Sequence, residues 1–325
     1  MDMAEVKGQQ ETMRSDIEEN DMHRLLYSTV AAFTKAIDER TPYNASHTMQ
    51  VAGYVRGALA FLNRKYREEG GGVCFSAEDC EQIIMAACLH DVGKLVIPLS
   101  IMNKSTRMGE GGLERIHQRY LLIRAYLDID HLEGRLETEA WHRQKEELSE
   151  LERRIEAADN ARPLASEERR YFAGMAGRTY RGGAGGEIPW LTDEEAANLQ
   201  IEHGTLNTEE RKNMEYHAVA TEKILKEIHF GKKYDKVLQI AGAHHEFLDG
   251  SGYPRCLRGE QIPTGSRLLT IADIYDSLVA TDRPYKSPIP ADKAKQILRE
   301  MAEEGKLDAQ LVGLFCEYVD TLPEK

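Results

Sequence analysis

The run Ile83-Ile84-Met85-Ala86-Ala87-Cys88-Leu89 ends abruptly in His90-Asp91-Val92-Gly93-Lys94. Apolar residues on every face commit this segment to burial, yet an imidazole and a carboxylate follow it at once. Ionisable groups do not sit against a buried surface unless something compensates them. A metal ion would compensate both. Neutral imidazole nitrogen binds a divalent cation, and the two oxygens of the adjacent carboxylate can bridge that cation to a second one. Lys94 then stands close by, placed for an anionic substrate. The plainer alternative is a helix that ends in polar residues with Gly93 as its C-cap.

Two helices lead up to this motif. Leu25, Leu26, Val30, Phe33 and Ile37 recur at helical spacing until Thr41-Pro42 stops the pattern. His47 follows in a short connection, near the start of a second helix marked by Val51, Tyr54, Val55, Ala58, Leu59 and Leu62. Gly70-Gly71-Gly72 is a loop, and Ser76 with Asp79 starts the helix that delivers His90 and Asp91.

From Ser105 to about Glu202 the character changes. Leu113, Ile116, Tyr120, Ile123 and Leu127 step by three and four, as do Trp141, Leu148, Leu151 and Ile155, which predicts two long helices paired as a hairpin turning near Gly134. This stretch reads as an insertion, either structural or a surface for self-association. Residues 174–186 contain six glycines but no Gly-Lys-Ser/Thr ending, so a loop is expected there rather than a phosphate cradle. His117, His131, His142 and His203 lie among charged residues and are assigned no chemistry.

Helical order resumes where Thr205 or Asn207 can cap a helix that carries His217. Val237, Leu238, Ile240 and Ala241 then form an apolar face ending in His244-His245-Glu246, followed by Asp249-Gly250-Ser251-Gly252-Tyr253-Pro254. The apolar helix from Arg267 to Val279 is interrupted by Asp273 and Asp276. Helices over 291–303 and 308–321 finish a chain whose fold class is all-α.

Composition narrows the partners. Lys and Arg number 42 against 55 Asp and Glu, a net charge of −13 that disfavours DNA and anionic membranes. The five cysteines include no Cys-x-x-Cys pair and fit free thiols in a reducing compartment. No run approaches the ~18 apolar residues of a membrane span, so a soluble cytoplasmic protein is expected.

Collecting the polar residues that packing does not explain gives His47, His90, Asp91, His217, His244, His245 and Asp273, too many for one tetrahedral zinc site. With Asp91 bridging, they suit two divalent metals of higher coordination number. Imidazole and carboxylate ligation without thiolate points to iron or manganese. Water held between two dications loses a proton near neutral pH and can attack a phosphodiester.

Three stretches, His90-Asp91-Val92-Gly93-Lys94, His244-His245-Glu246-Phe247-Leu248-Asp249-Gly250-Ser251-Gly252-Tyr253-Pro254 and Ile271-Ala272-Asp273-Ile274-Tyr275-Asp276-Ser277-Leu278, resemble the HD-GYP family, a bacterial branch of the HD phosphohydrolases. Gly259-Glu260-Gln261-Ile262-Pro263 follows in the order the family keeps. The resemblance implies an HD-type helical bundle whose metal centre hydrolyses cyclic di-GMP to the linear dinucleotide or GMP. It implies one metal on His47, His90, Asp91 and Asp273, and another on Asp91, His217, His244 and His245. Lys94 would touch the scissile phosphate or assist the leaving oxygen, and Asp276, Arg283 and Lys286 would face the ligand. Thr41-Pro42-Tyr43-Asn44-Ala45-Ser46-His47 keeps the family's Pro, Tyr and His but departs at other positions. Tyr43 stands where some members place a carboxylate for a third metal, so a two-metal site is expected.

The expected organisation is a polar segment at 1–20, a catalytic helical domain made of 21–104 and 203–325, and a helical insertion at 105–202. An alternative to the enzyme is a signalling module that keeps metal and nucleotide but acts through protein partners. Such a module would dock through the insertion or the Gly252-Tyr253-Pro254 loop. Hydrolysis of another cyclic dinucleotide, and homo-oligomerisation, stay open at this level.

Overall fold

A computed structural model describes residues 25, 28–37, 39–40, 46–72, 74–160, 162–181, 186–280 and 288–323. In chain order the helices are α1 (28–37), α2 (His47–Glu69), α3 (Ala77–Leu89), α4 (Leu99–Met102), α5 (Gly112–Leu132), α6 (Thr138–Ala158), α7 (Ser166–Met175) and α8 (Asp193–Asn198). They continue as α9 (Thr208–Lys226), α10 (Val237–Ala241), α11 (Thr264–Val279), α12 (Ala291–Glu303) and α13 (Ala309–Asp320). The described residues form two compact units, one within 25–97, 215–280 and 288–323, the other within 98–214.

In the first unit α2 packs on α3, α11 and α13, α10 on α3, and α12 on α11 and α13. Each helix forms where a stripe of apolar residues can be buried. On α2 the stripe is Val51, Val55, Ala58, Leu59 and Leu62. Ser76 starts α3 by accepting from the Asp79 N–H (3.0 Å), a cap worth about 1 kcal/mol. Leu59, Leu62, Met85, Leu268, Leu269 and Phe315 meet in the core, where truncating one such side chain to Ala costs about 2–5 kcal/mol.

The second unit has its own core. α5 and α6 pair, with the turn at Gly134 in the left-handed region (φ 72°), and the seams Ile116/Tyr120/Ile123/Leu127 and Leu148/Leu151/Ile155 are fully buried between them, Phe172 and Trp190. The fully buried Arg107 donates to the carbonyl oxygens of Ala158 (2.8 Å), Arg162 (2.6 Å), Ile201 (3.2 Å) and Asn160. Four backbone acceptors compensate a guanidinium that would otherwise be costly to bury.

The glycine-rich stretch differs from the expected loop. α7 runs into it, and Thr179–Arg181 and Glu187–Pro189 pair as a small antiparallel hairpin with Tyr180 opposite Ile188. Tyr180 anchors this hairpin by donating its hydroxyl to buried Asp130. Apart from these two strands the described residues are helices and connections, as an all-α fold requires. No helix among them is long and apolar enough to cross a membrane, and all five cysteines are free.

Candidate metal centre

Five helix-linked positions deliver the site. His47 opens α2, His90 and Asp91 follow the end of α3, His217 lies midway along α9, His244 and His245 follow α10, and Asp273 lies on α11. The structure brings all seven into one buried cluster. Donor atoms of His47, His90 and Asp273 lie within 4.8 Å of one another, as do those of His217, His244 and His245, and those of His90, Asp91 and His244.

Asp91 divides this cluster. Its Oδ2 lies 3.6 Å from His47 Nε2 and 3.3 Å from His90 Nε2, while its Oδ1 lies 3.5 Å from His217 Nε2 and 4.0 Å from His244 Nε2. Asp273 Oδ1 is 3.1 Å from His47 Nε2, on the first side. On the second side His217 Nε2 stands 3.4 Å from His244 Nε2 and 3.1 Å from His245 Nε2.

The outer hydrogen bonds fix which nitrogen faces inward. His90 donates from Nδ1 to the Ala87 carbonyl (2.7 Å) and His244 from Nδ1 to the Ala241 carbonyl (2.6 Å), each reaching back three residues to the helix just ended. His47 donates from Nδ1 to Asp276 Oδ2 (2.6 Å). In each case Nδ1 is held outward and Nε2 points at the carboxylates, the orientation a metal requires. His90 Nε2 is buried without a hydrogen-bond partner among the described residues. A buried acceptor left in this state is what a divalent cation would satisfy.

Charge agrees with this geometry. Burial, then the neighbouring imidazoles, push His244 well below the usual imidazole range, and burial pushes His245 down to about 3. Burial alone would raise Asp91 and Asp273. The Lys94 ammonium and His90 outweigh it at Asp91, and His47 does so at Asp273, so both stay ionised. His47 is the exception: burial pulls it down, but Asp273 and Asp276 carry it up to about 9. Neutral His244 and His245 beside ionised Asp91 and Asp273 are donors for divalent metal, with a proton on His47 to displace. Lys94 Nζ sits 2.5 Å from Asp91 Oδ2.

Several sequence expectations change. Gly93 does not cap α3, which closes at Leu89 with His90 as its cap. It lies in the 3-10 turn Val92–Val96, where a Cβ would stand 1.9 Å from the His217 carbonyl oxygen. Close approach of two backbones, not conformation, requires glycine there. Asp276 is 1 % exposed and accepts from His47 Nδ1. Arg283 and Lys286 lie outside the described residues, as do Thr41 to Ala45 and the polar segment 1–20.

The Gly252-Tyr253-Pro254 segment folds against the cluster. A Cβ on Gly252 would meet the His245 carbonyl oxygen at 2.4 Å, and the Tyr253 ring lies 4.7 Å from the His245 ring. Buried Glu246 holds this loop by accepting from the N–H groups of Arg255 (2.7 Å) and Leu257 (2.9 Å). Sequence reasoning gave Glu246 no role, nor Thr221, whose hydroxyl joins His90 and Gly93.

The family model described as an HD domain matches residues 185–311. That span holds His217, His244, His245 and Asp273; His47, His90 and Asp91 lie upstream. The chain is 36% identical over 122 residues to a 3'3'-cGAMP-specific phosphodiesterase of Vibrio cholerae serotype O1, covering 38% of this chain and 25% of the relative. It is 50% identical over 62 residues to a cyclic di-GMP phosphodiesterase of the same organism, 19% and 12% of the two chains. With a cyclic di-GMP phosphodiesterase of Thermotoga maritima it shares 35% over 113 residues, 34% and 28% of the two chains. The chain thus spans about a quarter or less of the first curated relatives it matches. Among solved structures an HD-GYP-type protein of Bdellovibrio bacteriovorus aligns over 90% of this chain and 63% of its own, at 13% identity and a TM-score of 0.41. The regular structure of the described residues is almost wholly helical. Residues 185–311 match an HD domain, and the relatives named above are phosphodiesterases of cyclic dinucleotides.

Proposed function

We propose that this chain is a metal-dependent phosphodiesterase that opens a cyclic dinucleotide, with cyclic di-GMP the leading substrate. The observation that carries this reading is the division of the Asp91 carboxylate, one oxygen toward His47, His90 and Asp273 and the other toward His217 and His244. His47, His90, Asp91 and Asp273 would hold one divalent metal, and Asp91, His217, His244 and His245 the other. Nitrogen and oxygen donors without thiolate favour iron or manganese. Such ions supply Lewis acidity toward a phosphate oxygen and toward water.

The chain's own groups do the rest. Asp276 orients His47, and the carbonyls of Ala87 and Ala241 orient His90 and His244. Lys94 carries the ammonium at the edge of the cluster, 16 % exposed and within reach of a phosphate that gains charge as its leaving oxygen departs. Residues 21–104 and 203–325 would make up the catalytic domain, in a cytoplasmic protein, with 105–202 as its insertion.

A second substrate, 3'3'-cGAMP, is favoured by the 36% identity over 122 residues to a phosphodiesterase named for it. Elemental analysis of anaerobically purified protein, with product analysis on both dinucleotides, tests the reading. The expected result is about two metals per chain and a linear product, both lost in Asp91→Ala with helix content kept. Full metal occupancy in Asp91→Ala would overturn the bridging role. No turnover of either dinucleotide by metal-loaded protein would overturn the hydrolase.

A further inference from the structure

Lys94 carries its ammonium on a backbone that its own secondary structure holds weakly. Residue 94 lies in the 3-10 turn Val92–Val96, a form whose hydrogen-bond geometry is poorer than that of an α-helix. The bond that closes this turn, from the Ile97 N–H to the Lys94 carbonyl oxygen, is 3.2 Å long, at the upper end of the ordinary range. A long side chain is only as well placed as the backbone beneath it.

Arg40 supplies the missing hold. Its Nη1 donates to the Lys94 carbonyl oxygen (2.7 Å) and its Nη2 to the Ile97 carbonyl oxygen (2.8 Å), so one guanidinium spans the end of the turn. Both bonds carry the donor's charge, and the planar fork fits two fixed acceptors in a way a lysine does not. The base of this arm is anchored in turn. The Arg40 N–H donates to the Ile37 carbonyl oxygen (3.1 Å) at the end of α1, whose Val30, Thr34 and Ile37 are buried. The Thr34 hydroxyl lies 3.0 Å from the carbonyl oxygen of Cys88, two residues before His90. α1 and the residue just past it thus reach three carbonyl oxygens, of Cys88, Lys94 and Ile97, which bracket His90, Asp91 and Lys94.

We propose that Arg40 is a positioning residue for Lys94, setting where the ammonium stands relative to Asp91. The proposal rests on the reading of Lys94 as the group that meets the scissile phosphate. Both terminal nitrogens of Arg40 are committed to backbone, so it acts through Lys94 and not on the substrate. The Lys94 N–H donates to the Asp91 carbonyl oxygen (2.9 Å), which ties residue 94 to Asp91 on one side and to Arg40 on the other. Removing the second tie lets Lys94 shift. Asp91 stays fixed, because His90 and Gly93 on either side of it are both bonded to the Thr221 hydroxyl. A catalytic group misplaced by about an ångström can cost about a hundredfold in rate, with no ligand of the metals disturbed.

A double-mutant cycle of wild type, Arg40→Ala, Lys94→Ala and the double variant tests this. It is read by single-turnover hydrolysis at matched metal content and by hydrogen–deuterium exchange on the full chain. Arg40→Ala should slow the chemical step about tenfold or more, keep its metals, and leave the half-saturating dinucleotide concentration within about twofold of wild type. Exchange should rise in residues 92–97 and stay unchanged around His217. In the Lys94→Ala background the same substitution should cost less than about twofold, since the group it positions is gone. Arg40→Lys keeps the charge without the fork; it should be slowed as well, and it carries the cycle if Arg40→Ala fails to fold. A wild-type rate in both Arg40 variants, equal losses in the two backgrounds, or a loss of metal in step with the rate would overturn the positioning role. A wild-type rate in Lys94→Ala would sink the Lys94 reading and this proposal together, a result told apart from the others because it does not involve Arg40 at all.

Discussion

Thr221 donates its hydroxyl to the carbonyl oxygen of His90 at 2.9 Å, joining residues 131 apart in sequence. The Thr221 hydroxyl oxygen in turn accepts from the Gly93 N–H at 3.0 Å. Thr221 lies one turn beyond His217 on α9, so this fully buried hydroxyl fixes the distance between the Asp91 side and the His217 side of the cluster.

Thr221→Val keeps the shape of the side chain but leaves a buried N–H and a buried carbonyl unpaired. A loss of about 1–3 kcal/mol is expected, with reduced metal content, and Thr221→Ser should restore most of both. Denaturant unfolding and elemental analysis of the three proteins check this. Gly93→Ala should be more damaging, since its Cβ would meet the backbone of both His217 and Thr221. Wild-type stability in that variant would contradict the close approach.

Asp276 acts through His47. Asp276→Asn removes a charged acceptor from His47 Nδ1, and the loss of such an outer partner typically costs about 10–100-fold in metal affinity. Chelator competition on the purified variant measures it. Because Asp276 is buried and bonded to His47, KM for the dinucleotide at saturating metal should change little.

Lys94 separates chemistry from metal binding. In Lys94→Ala both metals should remain and the dinucleotide should still bind, while hydrolysis slows by about a hundredfold or more. Single-turnover rates at matched metal content decide. An unchanged rate would leave Lys94 only its contact with Asp91.

Glu152 supplies a pH signature in the second unit. Burial would raise its carboxyl, but Arg124 (2.6 Å) and His117 (2.8 Å) outweigh it and hold it below 4.5. A depressed carboxyl stabilises the fold above its unfolded pKa, and that stability is lost as pH falls through the folded value. Glu152→Gln should therefore cost about 1 kcal/mol at neutral pH, with the difference from wild type closing below about pH 4. Thermal melts across that range test it.

Apolar spacing made the helices legible: the seams on α2, α5 and α6 are buried where their periodicity puts them. The strand pair Thr179–Arg181 and Glu187–Pro189 was not, because strands of three residues are too short to show alternation. The seven cluster residues stood out because ionisable groups interrupt apolar faces. Thr221 and Glu246 stayed invisible for the opposite reason, since a polar residue on a helix or beside a turn looks the same facing water as facing a buried backbone. The contact of Asp276 with His47 was not legible either, because a carboxylate three residues after Asp273 shares its helix face, and only the packing of α2 decides which His47 nitrogen each one meets.

Lys104 ties together the two ends of the stretch from 105 to 204. Its carbonyl oxygen accepts from the Thr205 hydroxyl (2.8 Å), 101 residues away, and its buried ammonium reaches both Glu210 oxygens (2.8 Å) and Asn198 (3.2 Å). The points where this stretch departs and returns are thus fastened to each other. The entropy of closing a long loop depends on its ends being held together and grows only slowly with what lies between them. With the ends clipped, a segment of about a hundred residues weighs on the two halves of the cluster about as little as a short turn. Its length and sequence are then free to vary while Asp91 and His217 keep their distance.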